Sequence, residues 1–156
     1  AGKAAGQGHP SQGLSYNPKD IELLREYFHD YLDLSKKPSL KLFVSRNGLS
    51  RCPENILEIE EMMYAKGYKI INTGLVLSEQ ITLFSSAKKV IGLHGGALMN
   101  LVWCAKETNV VELFPREYMP TAFPSISSTR ALNYSWMCYG DLENSPIDLL
   151  KLESLV

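Results

Sequence analysis

The pattern of hydrophobic and polar positions divides the chain into alternating helical and extended segments. Apolar residues recur every three or four positions between Ile21 and Leu34, after a favourable helix start at Asn17 and Pro18, and this spacing predicts a first helix. Short, continuous apolar runs instead predict strands that are buried on both faces. These runs are LKLFVS (residues 40–45), YKIIN (68–72), KVIGL (89–93) and NVVELF (109–114).

Further helical patterns lie between these strands. One begins at Pro53 and stops before Gly67. Another runs from Ser78 to about Ala87, and GGALMNLVWCA (95–105) predicts a short helix that starts at its glycines. Short links between alternating strands and helices indicate a mainly parallel sheet that is covered by helices on both faces. The predicted fold class is therefore α/β.

The pattern is weaker at the two ends of the chain. Beyond Pro115, YSWMCYG (134–140) predicts an edge strand, and SPIDLLKLESL (145–155) predicts a terminal helix with Ser145 as its cap. Residues 1–13 are small, polar and rich in glycine, which is typical of a disordered linker or an expression remnant. We therefore expect the folded domain to span residues 14–156.

Composition and charge favour one globular domain without a polyanionic partner. The 156 residues are 45% hydrophobic and 21% charged, which suffices for one core. The formal net charge is -1 and both signs are interspersed, so we expect no binding of nucleic acid, and any anion site must be local. No apolar run is long enough to predict a membrane span, so we expect no membrane contact by this chain.

The three cysteines, Cys52, Cys104 and Cys138, lack the paired spacing of a zinc site or a redox dithiol. We expect them to be reduced, buried thiols in a reducing compartment.

Two adjacent glycines follow a predicted strand in KKVIGLHGGALMN (88–100). In an open parallel sheet, ligands bind beyond the carboxyl ends of the strands, where loops lead into helices. A helix start presents unpaired N–H groups, and Gly95 and Gly96 would let a phosphate approach the backbone. His94 could donate a hydrogen bond to a phosphate oxygen or a sugar hydroxyl. A purely geometric turn, in which His94 only caps nearby carbonyl groups, is the alternative, and the pattern favours neither.

Several other phosphate and nucleophile motifs are absent from the sequence. It contains neither G-x-G-x-x-G nor the P-loop pattern G-x-x-x-x-G-K-[ST]. HGG (94–96) is similar to the oxyanion loop of esterases, but no G-x-S-x-G nucleophile motif accompanies it, so a hydrolase is disfavoured. No D-x-D occurs either, and we therefore expect no metal ion.

Two arginines and one glutamate are the charged residues expected near this turn. Arg46 and Arg51 follow the first predicted strand, on the same sheet edge as His94. Their planar guanidinium groups suit phosphate oxygens, and simple solvation of both side chains is the alternative. Glu112 interrupts an apolar run, where a buried carboxylate needs hydrogen bonds. A ribose diol or backbone N–H groups could provide them.

Two blocks of the chain carry the motifs of a known family. SEQITLFSSAKKVIGLHGGALMNLVWCAKETNVVELFP (78–115) is similar to a glutamine-bearing helix, an apolar strand, an H-G-[AG]-x-L-x-N turn and a V-x-E-L strand. FVSRNGLSRCPENILEIEEMMYAKGY (43–68) is similar to an S-R loop and an R-x-x-x-N-E-x-E helix, although Ile56 replaces an acid. In these motifs, from about Leu40 to Asp141, the chain resembles glycosyltransferase family 61, which includes polysaccharide-synthesis enzymes.

The resemblance implies a fold and a reaction. The fold would be a Rossmann-like three-layer domain, the donor half of a two-domain GT-B glycosyltransferase. The reaction would be inverting and metal-independent, from a UDP-sugar to a hydroxyl of a glycan or glycoprotein, with no further cofactor. A missing N-terminal acceptor domain would supply the catalytic base, so this chain alone would bind UDP and transfer sugar weakly or not at all. A non-catalytic nucleotide-binding or phosphosugar-binding regulatory or scaffold module is the alternative, as is an interaction domain.

The resemblance also assigns roles to individual residues and suggests a compartment. Those expected to face the diphosphate are Arg46, Arg51, His94, Gly95 and Gly96. His94 would be the catalytic residue, because a cationic site stabilises the departing nucleotide. The remaining expected roles are support of the turn by Asn100 and Gln80, a ribose contact by Glu112, and orientation of an arginine by Asn55 and Glu58. We expect the cytoplasm for a bacterial protein and the Golgi or endoplasmic reticulum lumen for a eukaryotic one, with the cytoplasm favoured.

Overall fold

The computed structural model describes residues 16–32, 36–72, 74–117 and 121–156, which form a parallel sheet flanked by helices. The strands are β1 (Leu40–Val44), β2 (Lys69–Ile71), β3 (Ala87–Leu93), β4 (Asn109–Pro115) and β5 (Asn133–Tyr139). The α-helices are α1 (Pro18–Tyr27), α2 (Ile56–Ala65), α3 (Leu77–Ser85), α4 (Ala122–Thr129) and α5 (Leu149–Glu153). A short 3₁₀ turn spans His29–Tyr31, and a longer 3₁₀ helix spans Gly96–Trp103. The predicted linker at residues 1–13 lies outside the described residues.

The five strands pair in the order β2-β1-β3-β4-β5, and every pair is parallel. The predicted α/β class and parallel sheet are confirmed. The strand order reverses at β1, which lies between β2 and β3, so the loops after β1 and β3 lead away in different directions. Such a switch point leaves a crevice at the carboxyl ends of the strands, where open α/β sheets bind their ligands.

Each face of the sheet has its own hydrophobic core. Leu42 and Val44 point to the core formed with α1, α3, α4 and the 3₁₀ helix, whereas Phe43 points to the core formed with α2 and α5. Neighbouring residues of a strand face opposite sides, so a strand covered on both sides must be apolar throughout. This arrangement confirms the three-layer Rossmann-like architecture.

Helix boundaries differ from the prediction at three places. Asn17 caps α1 as expected, with its Oδ1 accepting from the Lys19 N–H at 3.0 Å. The helix ends at Tyr27 rather than Leu34, which lies outside the described residues, and Phe28 packs edge-on against Trp103 with ring centroids 5.7 Å apart. Helix α2 begins at Ile56 rather than Pro53, and α3 begins at Leu77 rather than Ser78.

The C-terminal elements also differ in part. Helix α5 is capped by Asp148, whose Oδ1 accepts from the Leu150 N–H at 3.0 Å, and not by the predicted Ser145. Ser145 Oγ accepts instead from the Leu142 N–H at 3.1 Å, within the preceding turn. The predicted edge strand is confirmed as β5. Helix α4 was not predicted, because its sequence AFPSISST has the serine, threonine and proline content of a loop.

The cysteine prediction holds in part. All three are free thiols, and Cys104 is buried, but Cys52 and Cys138 are half-buried rather than buried. No helix within the described residues is long and apolar enough to cross a membrane.

Candidate functional site

Arg46 joins the carboxyl ends of β1 and β3 at the switch point. Its Nη1 donates a hydrogen bond to the carbonyl of His94 at 3.2 Å. Its Nε and Nη2 donate to the carbonyl of Ser50 at 3.0 and 2.9 Å, which closes the loop after β1. The predicted convergence of this arginine with the glycine turn is therefore present.

Gly95 is required by the path of the Arg46 side chain. A Cβ atom at this position would lie 1.9 Å from Nη1 of Arg46. The backbone of Gly95 is extended, with φ 164°, so conformational strain is not the reason for glycine here. Gly96 differs, because it is exposed and a Cβ there would meet no atom within 4 Å.

The start of the 3₁₀ helix presents backbone donors. Its first hydrogen bond runs from the Leu98 N–H to the Gly95 carbonyl at 3.0 Å. The N–H groups of Gly95, Gly96 and Ala97 precede this bond, and none of the three has a backbone acceptor among the described residues. Such groups carry the partial positive charge of a helix start and favour an anionic ligand.

His94 is paired with a buried carboxylate. Its Nδ1 contacts Oε1 of Glu112, and the hydroxyl of Tyr134 donates to Oε2 of the same glutamate at 2.6 Å. Glu112 is 0% exposed and His94 is 9% exposed. Burial, followed by the nearby Glu112 charge, raises the pKa of Tyr134. Both glutamate oxygens are thus engaged by side chains, so this placement supports neither the predicted ribose contact nor bonding to backbone N–H groups.

The His94 ring also packs against Phe123 of α4. The ring centroid of Phe123 lies 5.2 Å from that of the imidazole, and Phe123 itself is buried. The imidazole therefore has a fixed plane as well as a fixed hydrogen-bond partner.

Arg51 places a second guanidinium group near the first. Its backbone lies in the left-handed region, with φ 59°. Its side chain lines a narrow crevice, called the crevice below, together with His94, Pro115, Tyr139 and Glu143. Burial, followed by repulsion from Arg51, lowers the pKa of Arg46. A bound anion would relieve this repulsion between the two cations.

A cavity of about 190 Å³ lies on the other side of the turn, and we call it the α3 cavity. It is lined by Ile71, Asn72, Gly74, Leu75, Gln80, Phe84, Ala97 and Asn100. Asn100 Nδ2 donates to Gln80 Oε1 at 2.7 Å and to the Ala97 carbonyl at 3.0 Å. Gln80 Nε2 in turn donates to the Leu75 carbonyl at 2.8 Å. Asn100 and Gln80 are therefore placed to support the turn.

The two remaining predicted residues do not orient an arginine. Asn55 exchanges two hydrogen bonds with the backbone of Ile147, at 2.8 and 2.9 Å, and so ties α2 to the C-terminal segment. Glu58 is exposed, and within the described ranges no ion pair links it to an arginine. The predicted roles of both residues are corrected accordingly.

Glu60 holds the arginine loop instead, and it was not predicted as a functional residue from the sequence. Its Oε1 accepts from Ser45 Oγ at 2.6 Å and its Oε2 accepts from Asn47 Nδ2 at 3.0 Å. Glu60 is half-buried and lies four residues after the buried Ile56, on the same face of α2. An acidic residue at such a position signals a carboxylate with partners. No comparable signal marks Tyr134 or Phe123.

Positively charged and hydrogen-bond-donating groups are gathered at this edge of the sheet. Two guanidinium groups, one imidazole and three backbone N–H groups meet where the strand order reverses. Among the described residues, no cluster of three or more His, Cys, Asp or Glu side chains could hold a metal ion. The fold and site thus define an α/β protein with positively polarised groups at its switch point.

The comparison with family models identifies the family. The model of glycosyltransferase 61 matches residues 7–111, which is more than half of the chain. The chain therefore belongs to glycosyltransferase family 61, as the motifs indicated, and it is a glycosyltransferase. A purely regulatory or scaffolding module is thereby disfavoured. No curated protein matches the chain.

Proposed function

We propose that this domain is the donor half of a GT-B glycosyltransferase and that it binds a UDP-sugar across the turn that follows β3. The observation that carries the proposal is the convergence of Arg46 with Gly95 at the switch point, where the arginine donates to the His94 carbonyl at 3.2 Å. Its guanidinium group lies directly beside backbone donors at a helix start, and both kinds of group bind phosphate oxygens.

The diphosphate would lie between the 3₁₀ helix and the two arginines. Arg46 already uses its Nε, Nη1 and Nη2 to organise the loop, and a guanidinium group carries five N–H donors in all. Its charge therefore acts from a fixed position, and two N–H donors remain beyond those three bonds. Arg51 has no such bonds to the turn, and we expect it to contribute charge directly.

The nucleoside would occupy the α3 cavity. Ala97 connects the cavity to the donor groups of the turn, because it lines the cavity and its N–H belongs to the helix start. Leu75 and Phe84 offer apolar contact to a planar base, and Asn72 offers a polar edge. Such a mixture of apolar walls and a few polar groups is typical of small-molecule sites.

In the proposed reaction, an acceptor hydroxyl of a glycan or glycoprotein attacks the anomeric carbon of the sugar from the face opposite UDP. The bond between that carbon and the β-phosphate oxygen breaks, and UDP leaves with the electron pair. A base from the facing acceptor domain takes the hydroxyl proton. The arginines, the N–H groups and His94 stabilise the charge that develops on UDP, without a metal ion.

Calorimetric titration with UDP tests the donor site. We expect binding that is unchanged when EDTA is replaced by Mg²⁺, and a loss of about tenfold or more in affinity for Arg51→Ala. Arg116→Ala is the matched control, because Arg116 is exposed and pairs only weakly with Asp141 at 3.5 Å. Absence of heat at millimolar UDP would contradict the proposal.

A second experiment tests the placement of the nucleoside. Asn72 is exposed and lines the α3 cavity, so Asn72→Trp would fill the cavity without disturbing the core. We expect weaker binding of UDP but unchanged binding of inorganic pyrophosphate. Glu61→Trp, at an exposed position of α2, is the control. Equal loss of both ligands would place the nucleoside elsewhere.

A further inference from the structure

The half-buried Tyr134 and the buried Glu112 and His94 form one hydrogen-bonded series of side chains that ends at His94. Tyr134 lies on β5, Glu112 on β4, and His94 directly follows β3. The Tyr134 hydroxyl donates to Oε2 of Glu112 at 2.6 Å, and Oε1 of Glu112 contacts Nδ1 of His94. These hydrogen bonds cross the sheet from its edge strand, β5, to the proposed site.

Glu112 cannot rely on water for its remaining hydrogen bonds. Its side chain is 0% exposed, so the two protein donors provide the partners that a buried carboxylate requires. A carboxylate that accepts a hydrogen bond from Nδ1 fixes the proton on that nitrogen. The other ring nitrogen, Nε2, then points away from Glu112. Removal of the Tyr134 hydroxyl would leave Oε2 without this partner and free the carboxylate to rotate.

We propose that Tyr134 is a positioning residue of the glycosyltransferase site, which acts through Glu112 to hold the His94 ring in one orientation and in the Nδ1-protonated form. Tyr134 does not touch the substrate in this arrangement. Phe123 supports it by fixing the plane of the ring, with centroids 5.2 Å apart. The inference rests on the proposed donor function, because His94 matters only if the nucleotide binds beside it.

Other charged and titratable groups also face His94. Arg46 from the loop after β1 donates to its carbonyl at 3.2 Å. Arg51, Tyr139 and Glu143 line the crevice with it. Among the described residues, none of these groups forms a hydrogen bond with Glu112. A Tyr134 variant therefore acts on His94 through Glu112 and not through these groups.

The test combines nitrogen NMR of labelled histidine with UDP titration. The chain has three histidines, and the His94 signals are identified by their loss in His94→Gln. We expect Tyr134→Phe to change the His94 ring nitrogen shifts, which report the tautomer of the ring. It should also weaken UDP binding by about three- to tenfold, the effect of one hydrogen bond. Tyr68→Phe is the control, because the Tyr68 hydroxyl is buried and has no hydrogen-bond partner in the described part of the chain.

The outcomes separate this inference from the proposed function. If wild type binds UDP and Tyr134→Phe matches it in both spectrum and affinity, the positioning role is wrong. If wild type does not bind UDP, the donor proposal fails, while the histidine spectrum still reports on the tautomer. If Tyr134→Phe does not fold, Glu112→Gln replaces it. The amide can donate to Nδ1, so we expect the opposite tautomer of His94, and an unchanged spectrum would overturn the inference.

Discussion

The two ends of the 3₁₀ helix differ in how their backbone groups are satisfied. At the C-terminal end, Arg25 Nη1 donates to the Val102 carbonyl at 2.7 Å and Arg130 Nη2 donates to the Cys104 carbonyl at 3.0 Å. At the N-terminal end, the N–H groups of Gly95, Gly96 and Ala97 have no backbone acceptor among the residues described. Among the described residues, cations thus cap the carbonyl end, whereas no backbone carbonyl caps the donor end.

The difference indicates what the donor end is for. A helix start that serves stability alone usually has a Ser, Thr, Asp or Asn cap whose oxygen accepts from these N–H groups. Here the cap residue is Gly95, and the neighbouring charges, Arg46 and Arg51, have the same sign as the helix start. Two like charges beside these donors, offset only in part by the nearby Glu143, form the electrostatic pattern expected of an anion site.

The largest expected effect is that of displacing Arg46 from the donor end with a larger residue at position 95. Gly95→Ala would place a Cβ 1.9 Å from Nη1 of Arg46, so the guanidinium group must leave its position. Because the displaced side chain loses hydrogen bonds to the His94 and Ser50 carbonyls, we expect the free energy of unfolding to fall by about 1–2 kcal/mol and UDP binding to weaken by more than tenfold. Urea denaturation and calorimetry measure the two effects. Gly96→Ala is the control for stability, because a Cβ there meets no atom within 4 Å. Equal stability of the two variants would contradict this steric account of Gly95.

The opposite end of the helix should respond in stability alone. Arg25→Ala removes the donor to the Val102 carbonyl, a hydrogen bond of 2.7 Å from a charged group. Because Arg25 is half-buried, we expect a loss of about 1–2 kcal/mol in the free energy of unfolding. UDP affinity should stay within twofold of wild type, whereas Arg51→Ala should show the reverse pattern. A drop in UDP affinity for Arg25→Ala would show that the two ends are not independent.

The parts of this comparison that depend on the order of elements could be predicted from the sequence. Continuous apolar runs identified the strands, and parallel pairing places their carboxyl ends, with Arg46 and His94, at one edge. The partner of Glu112 could not be predicted, because it depends on the register in which Val110 of β4 pairs with Tyr134 of β5. Strand β4 is buried along almost its whole length, so it shows no alternation of polar and apolar residues that would set its register against β5.

The tertiary contacts of individual residues also could not be predicted from the sequence. Gly95 was predicted to admit a phosphate, but the atom it admits in the structure is Nη1 of Arg46, which is 49 positions away in the chain and reaches the turn only in the folded state. Asn55 was predicted beside an arginine, but it binds the backbone of Ile147. Contacts of this kind follow from tertiary packing rather than from local pattern.

The carbonyl end should also show a dependence on alkaline pH. Burial raises the pKa of Cys104 from 9.0 to about 12, although Arg130 and Arg25 oppose the shift. A folded-state pKa above the unfolded value contributes stability that is complete below pH 9.0 and is lost as pH rises toward the folded value of about 12. Between about pH 9 and pH 10, wild type should lose about 1 kcal/mol more than Cys104→Ala. Urea denaturation at both pH values measures the two losses. Equal losses of unfolding free energy in wild type and Cys104→Ala would show that Cys104 does not cause the effect.

The smallest effect, and the sharpest test of the donor end, is that of adding a negative charge at the first residue of the helix. Gly96 is exposed with open space around it, so Gly96→Asp places a carboxylate at the helix start without a clash. A negative charge there should stabilise the fold by about 0.3–1 kcal/mol. The same charge occupies the region proposed for the diphosphate and repels it, so UDP binding should weaken although the protein becomes more stable. Gly96→Asn, which has the same shape without the charge, separates electrostatic from steric effects. A purely structural turn would gain stability from Gly96→Asp and show no UDP binding to lose, so only a ligand site produces opposite changes in the two measurements.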